Sequence, residues 1–379
     1  MIYADNAATT RISDSAFEKM LPFLREQYGN ASSKYSLGVK SKRAIEQARK
    51  QVAVAIGAQP TEITFTSGGS EANNWVLSSV EKIYSNFEKH IITSSIEHHA
   101  ILNTCHVLEK NGTAVTYLPV DAIGRVSVAD IEAALTPSTK LVTIMLANNE
   151  IGTSQPIAEI GRMLSFKGVL FHTDAVQAVG HIRVDVNDLG VDFLTASAHK
   201  FGGAKGIGIL YMSPRLELPP FIYGGEQEHS HRAGTENVAG IVSAGYALEE
   251  SVSEMSVEDT RLRRLVKATV DGIKKDIPSV RVNGAGDNNL PGIVNLGFDG
   301  VSGEALMHLL DMKGICVSTS SACSSGKDEP SHVLLALGQT EQQARSAIRI
   351  SFGRYNTMDD VPAIVSAICD AYKKIKNSQ

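Results

Sequence analysis

Long apolar runs are absent from this sequence. None of its 379 residues lies in an uninterrupted apolar window near the roughly 18 residues that a membrane-spanning helix needs. The start of the chain, from Met1 to Asn6, also lacks the basic segment and following apolar segment of a secretory signal. We therefore expect a soluble, cytoplasmic protein that makes no membrane contact.

Cysteine is scarce, and basic clusters and nucleotide-binding motifs are missing. The four cysteines form no CxxC pair, which argues against a disulfide framework and against a zinc site. They are Cys105, Cys316, Cys323 and Cys369. The net charge is -5 and no long Lys/Arg-rich run occurs, so direct binding to nucleic acid is not expected. A GxGxxG turn after the first strand and a GxxxxGKS/T loop are both absent, which argues against dinucleotide and P-loop nucleotide binding.

The sequence does contain a long alternation of strand and helix patterns. Apolar runs of strand length recur between residues 62 and 212, and helical patterns separate most of them. This alternation predicts an α/β fold with a mainly parallel seven-stranded sheet that is covered on both faces. Two helical patterns, over residues 237–252 and 257–275, then lead to shorter patterns typical of a smaller α+β domain. We predict a large domain over residues 15–255 and a small domain formed by residues 1–14 and 256–379.

Lys200 stands out among the polar residues that end these strands. The strand pattern stops at Ser197-Ala-His-Lys200, and a glycine-rich turn follows. A lysine amine at the mouth of a buried sheet is suited to a Schiff base with an aldehyde cofactor, because burial lowers its pKa from about 10.4 towards neutrality. Taken alone, the pattern is more often a solvated lysine on a surface turn.

Asp174 ends another apolar run, upstream of Lys200, and strengthens the first interpretation. Pyridoxal phosphate needs a lysine for its aldehyde and an aspartate that keeps its ring nitrogen protonated. At about 4 Å and an effective dielectric constant of about 20, such an ion pair is worth about 4 kcal/mol. A strand-ending aspartate by itself is more often a helix cap.

Other polar residues also cluster at predicted strand ends, where ligands bind in parallel α/β sheets. They are Gly69, Ser70, His98, Asn149, Gln177, Ser197 and His199. His98 is either a helix cap or a group that stacks on a planar ring and relays protons.

Arg349 lies in an apolar strand pattern and needs an anion, for which a substrate carboxylate would serve. Cys323, flanked by small polar residues, is predicted to be an accessible, reactive thiol.

The combined motifs closely resemble those of the cysteine desulfurases, which are pyridoxal-phosphate enzymes of fold type I in the class V aminotransferase group. The resemblance runs almost end to end. It is carried by Ala4-Asp-Asn-Ala-Ala-Thr-Thr10, Phe65-Thr-Ser-Gly-Gly-Ser-Glu71, Glu97-His98, Asn148-Asn-Glu-Ile-Gly152, His172-Thr-Asp-Ala-Val-Gln177, Ser197-Ala-His-Lys200, Arg232-Ala-Gly-Thr235 and Ser321-Ala-Cys-Ser-Ser325. The Ser-Ala-Cys-Ser-Ser pattern resembles the subgroup that serves iron–sulfur cluster assembly and tRNA thiolation.

The resemblance implies a role for each candidate residue. Lys200 would hold the cofactor and move protons, Asp174 would pair with the ring nitrogen, Gln177 would approach the ring hydroxyl, and His98 would stack on the ring. The resemblance also implies that Asn149 and Arg349 bind the substrate carboxylate. The implied phosphate ligands are Gly69, Ser70, Ser197, His199 and Thr235, the last acting on the other subunit of a homodimer.

The implied reaction is the removal of sulfur from L-cysteine, which gives L-alanine and a persulfide on Cys323. A sulfur-acceptor protein, either an iron–sulfur scaffold or a tRNA-thiolation enzyme, would then receive the sulfur. No resident metal is implied, although the persulfide could contact a cluster or metal during transfer. Two alternatives remain: a selenocysteine lyase or other class V enzyme, and a non-catalytic scaffold that retains the fold.

Overall fold

The computed structural model describes residues 1–284, 286, 289–319 and 329–378. Within them the strands are β1 (Ile2–Tyr3), β2 (Ile63–Thr66), β3 (His90–Ser94), β4 (Ala114–Leu118), β5 (Thr139–Thr143), β6 (Leu170–Asp174), β7 (Phe193–Ser197), β8 (Gly208–Met212), β9 (Arg281–Asn283), β10 (Ile293–Gly297), β11 (Ile315–Cys316), β12 (Ser318–Thr319) and β13 (Ala347–Ser351). The α-helices are α1 (Asp14–Arg25), α2 (Ser36–Ala55), α3 (Gly69–Ile83), α4 (His99–Lys110), α5 (Val128–Ala134), α6 (Ile157–Leu164), α7 (Val186–Leu189), α8 (Val238–Asp276), α9 (Gly303–Asp311), α10 (His332–Ala336), α11 (Glu341–Arg345) and α12 (Asp360–Lys376).

The central sheet has seven strands in the order β2-β8-β7-β6-β5-β3-β4. Strand β8 pairs antiparallel with β2 and β7, and the other pairs are parallel. Strands β3 and β7 are buried along their whole length, as expected where helices cover both faces of a parallel sheet. The predicted α/β fold with a mainly parallel seven-stranded sheet is confirmed.

Two strands differ from their predicted bounds. Apolar runs predict strands over residues 141–147 and 168–172, but β5 ends at residue 143 and β6 begins two residues further on, at residue 170. The chain beyond β5 still runs beside β6, because the Ile144 and Leu146 amides donate to the carbonyls of His172 and Asp174. Apolar periodicity follows this extended segment correctly but does not show where the regular ladder ends.

The longest helix corrects a further prediction. We predicted two helices, over residues 237–252 and 257–275, but α8 is a single helix of 39 residues. Residues 253–256 contain no glycine or proline that would end a helix, and the apolar pattern lapses there because the helix is largely exposed between two cores. Ile241 and Leu248 pack in the core of the seven-stranded sheet, whereas Leu262 and Leu265 pack in a second core.

The second core belongs to a smaller α+β unit. Its antiparallel sheet has the order β12-β13-β10-β9, and helices α9 and α12 contribute to the same apolar cluster. Strand β1 pairs with β11, so the first residues of the chain join this unit. The two cores meet α8 on either side of residue 255, and the proposed domain division there stays a prediction.

Three cysteines fall within the described residues. Cys105 and Cys369 are buried in apolar clusters, and burial raises the pKa of the Cys105 thiol to about 12. Cys316 is half-buried on β11. Among the helices of the described residues, none is long and apolar enough to span a bilayer.

Candidate active site

A cavity of about 330 Å³ opens at the carboxyl ends of the parallel strands, between the seven-stranded sheet and the smaller unit. Ten of the predicted site residues line it: Gly69, Ser70, His98, Asn149, Asp174, Gln177, Ser197, His199, Lys200 and Arg349. Strands β6 and β7 bring Asp174 and Ser197 to the same edge because parallel neighbours end together. The strand-end pattern therefore located one site and not scattered surface positions.

The amine of Lys200 lies against the first residues of the chain. Its Nζ donates to the carbonyl of Ala7 at 2.5 Å and to the carbonyl of Ala8 at 2.9 Å. Gln177 Nε2 donates to the same Ala7 carbonyl at 2.7 Å, and the Thr10 amide donates to the carbonyl of His199. The amino-terminal segment thus fixes both the position of the lysine amine and the backbone that carries it.

The Asp174 carboxylate receives one hydrogen bond on each oxygen. The Val176 amide donates to Oδ1 at 2.9 Å, and Asn73 Nδ2 donates to Oδ2 at 2.6 Å. Both Asp174 and Asn73 are buried. Both donors are neutral, so neither of them offsets the charge that an ionised carboxylate presents to the cavity.

His98 caps helix α4, as one of the two interpretations of the sequence predicted, and it also lines the cavity. Its Nδ1 accepts a hydrogen bond from the Ala100 amide at 3.1 Å, at the start of α4. Burial lowers the pKa of His98 below its usual 6.5, the Lys200 charge lowers it further, and the Asp174 charge opposes both. A neutral imidazole that accepts at Nδ1 carries its proton on Nε2.

The start of α3 gives the cavity an edge suited to an anion. Gly69 is the first residue of this 15-residue helix, whose free amides and dipole favour negative charge. A Cβ at Gly69 would lie 2.6 Å from Val176 Cγ2, so only glycine lets the helix start this close to β6. Burial lowers the pKa of nearby His199 to about 4, which makes it a neutral polar group at pH 7.

Arg349 faces the cavity from strand β13. Its Nη1 donates to the carbonyl of Asn149 at 2.9 Å, and its Nη2 donates to Asp5 Oδ1 at 2.7 Å. The sequence predicted that this arginine needs an anion, and Asp5 is one such anion. Within the described residues Arg349 Nε is buried without a hydrogen-bond partner.

Two buried glutamates lie next to site residues in the sequence. Glu97 precedes His98, and its Oε1 accepts from Ser94 Oγ at 2.6 Å and from the Met145 amide at 2.9 Å. Burial raises the pKa of Glu97 to about 8. Its carboxyl group is therefore largely protonated at pH 7.

Glu150 follows Asn149 and lies closer to a positive charge. Ser331 Oγ donates to Glu150 Oε2 at 2.5 Å. Burial raises the pKa of Glu150 to about 7, and this hydrogen bond and the Arg349 charge oppose the rise.

Two predicted residues are not part of the cavity as described. Thr235 is exposed and lines a separate groove with Gly206, Arg232 and Asn237. Cys323 lies outside the described residues.

Sequence reasoning missed several lining residues, among them Asp5, Asn73 and Ser318. Asn73 could have been found, because it follows Gly69 by one helical turn and so shares its face of α3. Asp5 and Ser318 lie far from Arg349 in sequence and reach it only through strand pairing and tertiary contact.

The cavity fits pyridoxal phosphate, the cofactor that the sequence predicted. It combines a lysine amine, a buried carboxylate and a glycine-led helix start along one sheet edge. Arg349 Nε is a buried polar atom without a hydrogen-bond partner among the described residues, as a polar group that awaits a ligand would be.

A lysine and an aspartate at neighbouring strand ends, in a cavity between an α/β sheet domain and a small α+β unit, are the hallmark of fold type I pyridoxal-phosphate enzymes. The model of the aminotransferase class-V family matches residues 2–364. The cysteine desulfurase IscS of Clostridium botulinum is 48% identical over 371 residues, which are 97% of this chain and 93% of the relative.

Solved structures agree with this assignment. A NifS-like protein superposes with a TM-score of 0.93 at 38% identity, covering 98% of this chain and 99% of the other. A structure described as SspA in complex with cysteine gives a TM-score of 0.82 at 37% identity, covering 94% of this chain and 100% of the other. The chain belongs to the cysteine desulfurases of the class-V aminotransferase family, whose members depend on pyridoxal phosphate.

Proposed function

We propose that this chain is a pyridoxal-phosphate-dependent cysteine desulfurase that converts L-cysteine to L-alanine. The single observation that carries the proposal is one cavity lined by Lys200, Asp174 and Arg349. The amine and carboxylate suit the cofactor, and the guanidinium suits the carboxylate of an amino acid. The relative solved with cysteine supports the same substrate.

The cofactor contacts are proposed from the donor set in the cavity. Lys200 would hold the aldehyde carbon, Asp174 the ring nitrogen and Gln177 the ring hydroxyl, with His98 against the ring face. The start of α3 at Gly69 and Ser70, together with Ser197 and His199, would hold the phosphate. Thr235 would reach the phosphate bound in the partner subunit of a homodimer, which agrees with its exposure outside this cavity.

When bound, pyridoxal phosphate supplies an electron sink next to the substrate amine. The chain's own residues supply the proton transfers and the sulfur acceptor. Lys200 Nζ would take the α proton of cysteine, and neutral His98, with its proton on Nε2, would relay protons. Arg349 and Asn149 would hold the substrate carboxylate and so fix which face of the α carbon meets Lys200.

The sulfur step balances without an external oxidant. The Cβ–S bond of cysteine breaks, an S–S bond forms with Cys323, and a proton completes the methyl group of alanine. Cys323 must react as a thiolate, which a free thiol of pKa about 8.5 provides only in part at pH 7. The persulfide would then pass to a sulfur-acceptor protein of iron–sulfur cluster assembly or tRNA thiolation.

The test is incubation of purified protein with L-cysteine and no reductant, with alanine quantified and added sulfur located by peptide mass mapping. We expect alanine and a persulfide on Cys323, both lost in Cys323→Ser. Cys316→Ser, which removes a half-buried thiol from β11, is the control and should keep both. Equal alanine formation by wild type and Cys323→Ser would contradict the persulfide mechanism and favour a lyase or an aminotransferase.

A further inference from the structure

Asn73 occupies an unusual position beside Asp174. It lies on α3, one turn after Gly69, and only 1% of its surface is exposed. Its Nδ2 donates to Asp174 Oδ2 at 2.6 Å, while the Val176 amide holds the other carboxylate oxygen. The carboxylate therefore cannot rotate without losing a hydrogen bond.

The amide oxygen of Asn73 indicates what orients this side chain. Among the described residues Oδ1 is buried and has no hydrogen-bond partner. Here the nitrogen must face the carboxylate, because the opposite orientation would set two acceptor oxygens against each other.

We propose that Asn73 is a positioning residue for the cofactor: it holds the Asp174 carboxylate, as an anion, in the orientation that meets the cofactor's ring nitrogen. The inference rests on the proposed function. It adds a residue that would contact Asp174 on the side away from the cofactor ring and act on the ring only through that carboxylate.

A neutral donor suits this task better than a charged one. An arginine or lysine at residue 73 would stabilise the carboxylate but would also cancel the charge on which the ring nitrogen depends. The titratable groups near Asp174 include Lys200 and His98, which line the same cavity, and the largely protonated Glu97, on which the Asp174 charge acts. None of these is the neutral hydrogen-bond donor to Oδ2 that Asn73 provides.

The test uses two variants, Asn73→Ala and the near-isosteric Asn73→Asp, each stripped of cofactor and titrated with pyridoxal phosphate. Asn73→Ala lacks the donor at every pH, so we expect its dissociation constant to rise about ten-fold or more throughout. In Asn73→Asp two carboxyl groups adjoin, and they cannot both ionise easily. At low pH the substituted side chain at residue 73 is protonated and donates to Asp174 in place of the amide. At high pH the same side chain is ionised and repels Asp174.

The ratio of the Asn73→Asp constant to the wild-type constant should therefore climb from near one at pH 6 to about ten or more at pH 9. The absorbance of the bound cofactor should titrate at a different pH in both variants than in wild type. Asn283→Ala, which removes another buried amide that does not line the cavity, is the control for lost packing and should leave both readouts unchanged.

Three outcomes separate the inference from the function on which it rests. A wild-type protein that binds no pyridoxal phosphate would contradict the proposed function itself. A wild type that binds it, with both variants matching its affinity and spectrum, would overturn only the role of Asn73. A loss of affinity in Asn73→Asp that is the same at every pH would show that packing and not the donated hydrogen bond matters, and would also overturn the proposal.

Discussion

The two walls of the cavity hold their polar side chains in different ways. One wall consists of Asn73, His98, Asp174, Gln177 and Lys200, and we call it the large-domain wall after the predicted division at residue 255. Its side chains hydrogen-bond to backbone groups or, in the case of Asp174, also to the neutral amide of Asn73. On the small-domain wall, defined by Asp5, Ser318 and Arg349, the main contact is a buried ion pair.

The difference has a functional consequence. Neutral hydrogen-bond partners position Lys200 and Asp174, which suits the permanent contacts of a cofactor. The Asp5 carboxylate instead offsets part of the Arg349 charge, so an incoming carboxylate competes with it. Such competition suits a substrate that must bind and leave again.

The largest effect should follow from Lys200→Ala on the large-domain wall. The variant lacks the amine that would take the α proton, so we expect alanine formation to fall by about a thousand-fold or more. Lys205→Ala, an exposed lysine on the same glycine-rich turn, is the matched control. Alanine formation at a comparable rate in both variants would remove the assigned role of Lys200.

On the small-domain wall, Arg349→Lys should raise the KM for L-cysteine by about a hundred-fold, with a smaller change in kcat. Lysine keeps the charge but loses the two-pronged geometry and one of the contacts to Asn149 and Asp5. Steady-state kinetics with L-cysteine measure the effect. Equal changes in kcat and KM would instead mean that Arg349 helps to position the cofactor, as we propose for the residues of the large-domain wall.

Asp5→Asn should have a smaller and opposite effect. The asparagine retains an oxygen for Arg349 Nη2 but removes the competing charge, so we expect the KM for L-cysteine to fall by a few-fold, on the order of 1 kcal/mol. Asp14→Asn, which breaks an exposed ion pair with Arg11, is the control. A higher KM in Asp5→Asn would mean that Asp5 chiefly positions Arg349 and does not compete with the substrate.

The smallest effects concern stability, through the two buried glutamates. Burial raises both pKa values above the unfolded value of about 4.3, to about 8 for Glu97 and about 7 for Glu150. Between the unfolded pKa and each folded pKa, the folded state binds more protons than the unfolded state. The stability that each protonated glutamate contributes is therefore present at low pH and is lost as the pH rises.

Glu97→Gln and Glu150→Gln should each gain stability relative to wild type as pH rises, by about 1 kcal/mol or more, measured by urea unfolding at pH 5 and pH 8.5. Arg349→Met should then raise the pKa of Glu150 but not that of Glu97, because the Arg349 charge acts on Glu150. An equal shift in both would contradict the selective action of the Arg349 charge on Glu150.

The two walls also differ in how far the sequence predicted them. Lys200 and Asp174 follow apolar runs of strand length, and parallel strands end at one edge, so local patterns were sufficient. Asp5 meets Arg349 across 344 residues, and no local period reports such a contact. Asn73 was missed although its helical spacing from Gly69 was visible.

The long helix illustrates the same limit at the level of the fold. The lapse in apolar pattern near residue 255 suggested two helices, yet α8 continues because nothing in residues 253–256 interrupts its backbone hydrogen bonds. The pattern reports burial, and burial changes where the helix passes from one core to the other.

The central claim is that the large-domain wall holds pyridoxal phosphate at Lys200. Its most direct test is borohydride reduction of the protein loaded with pyridoxal phosphate, followed by peptide mass mapping of every lysine. The account predicts one pyridoxyl group on Lys200 and none on Lys205. A modification on Lys205 or another surface lysine, or none at all, would contradict it.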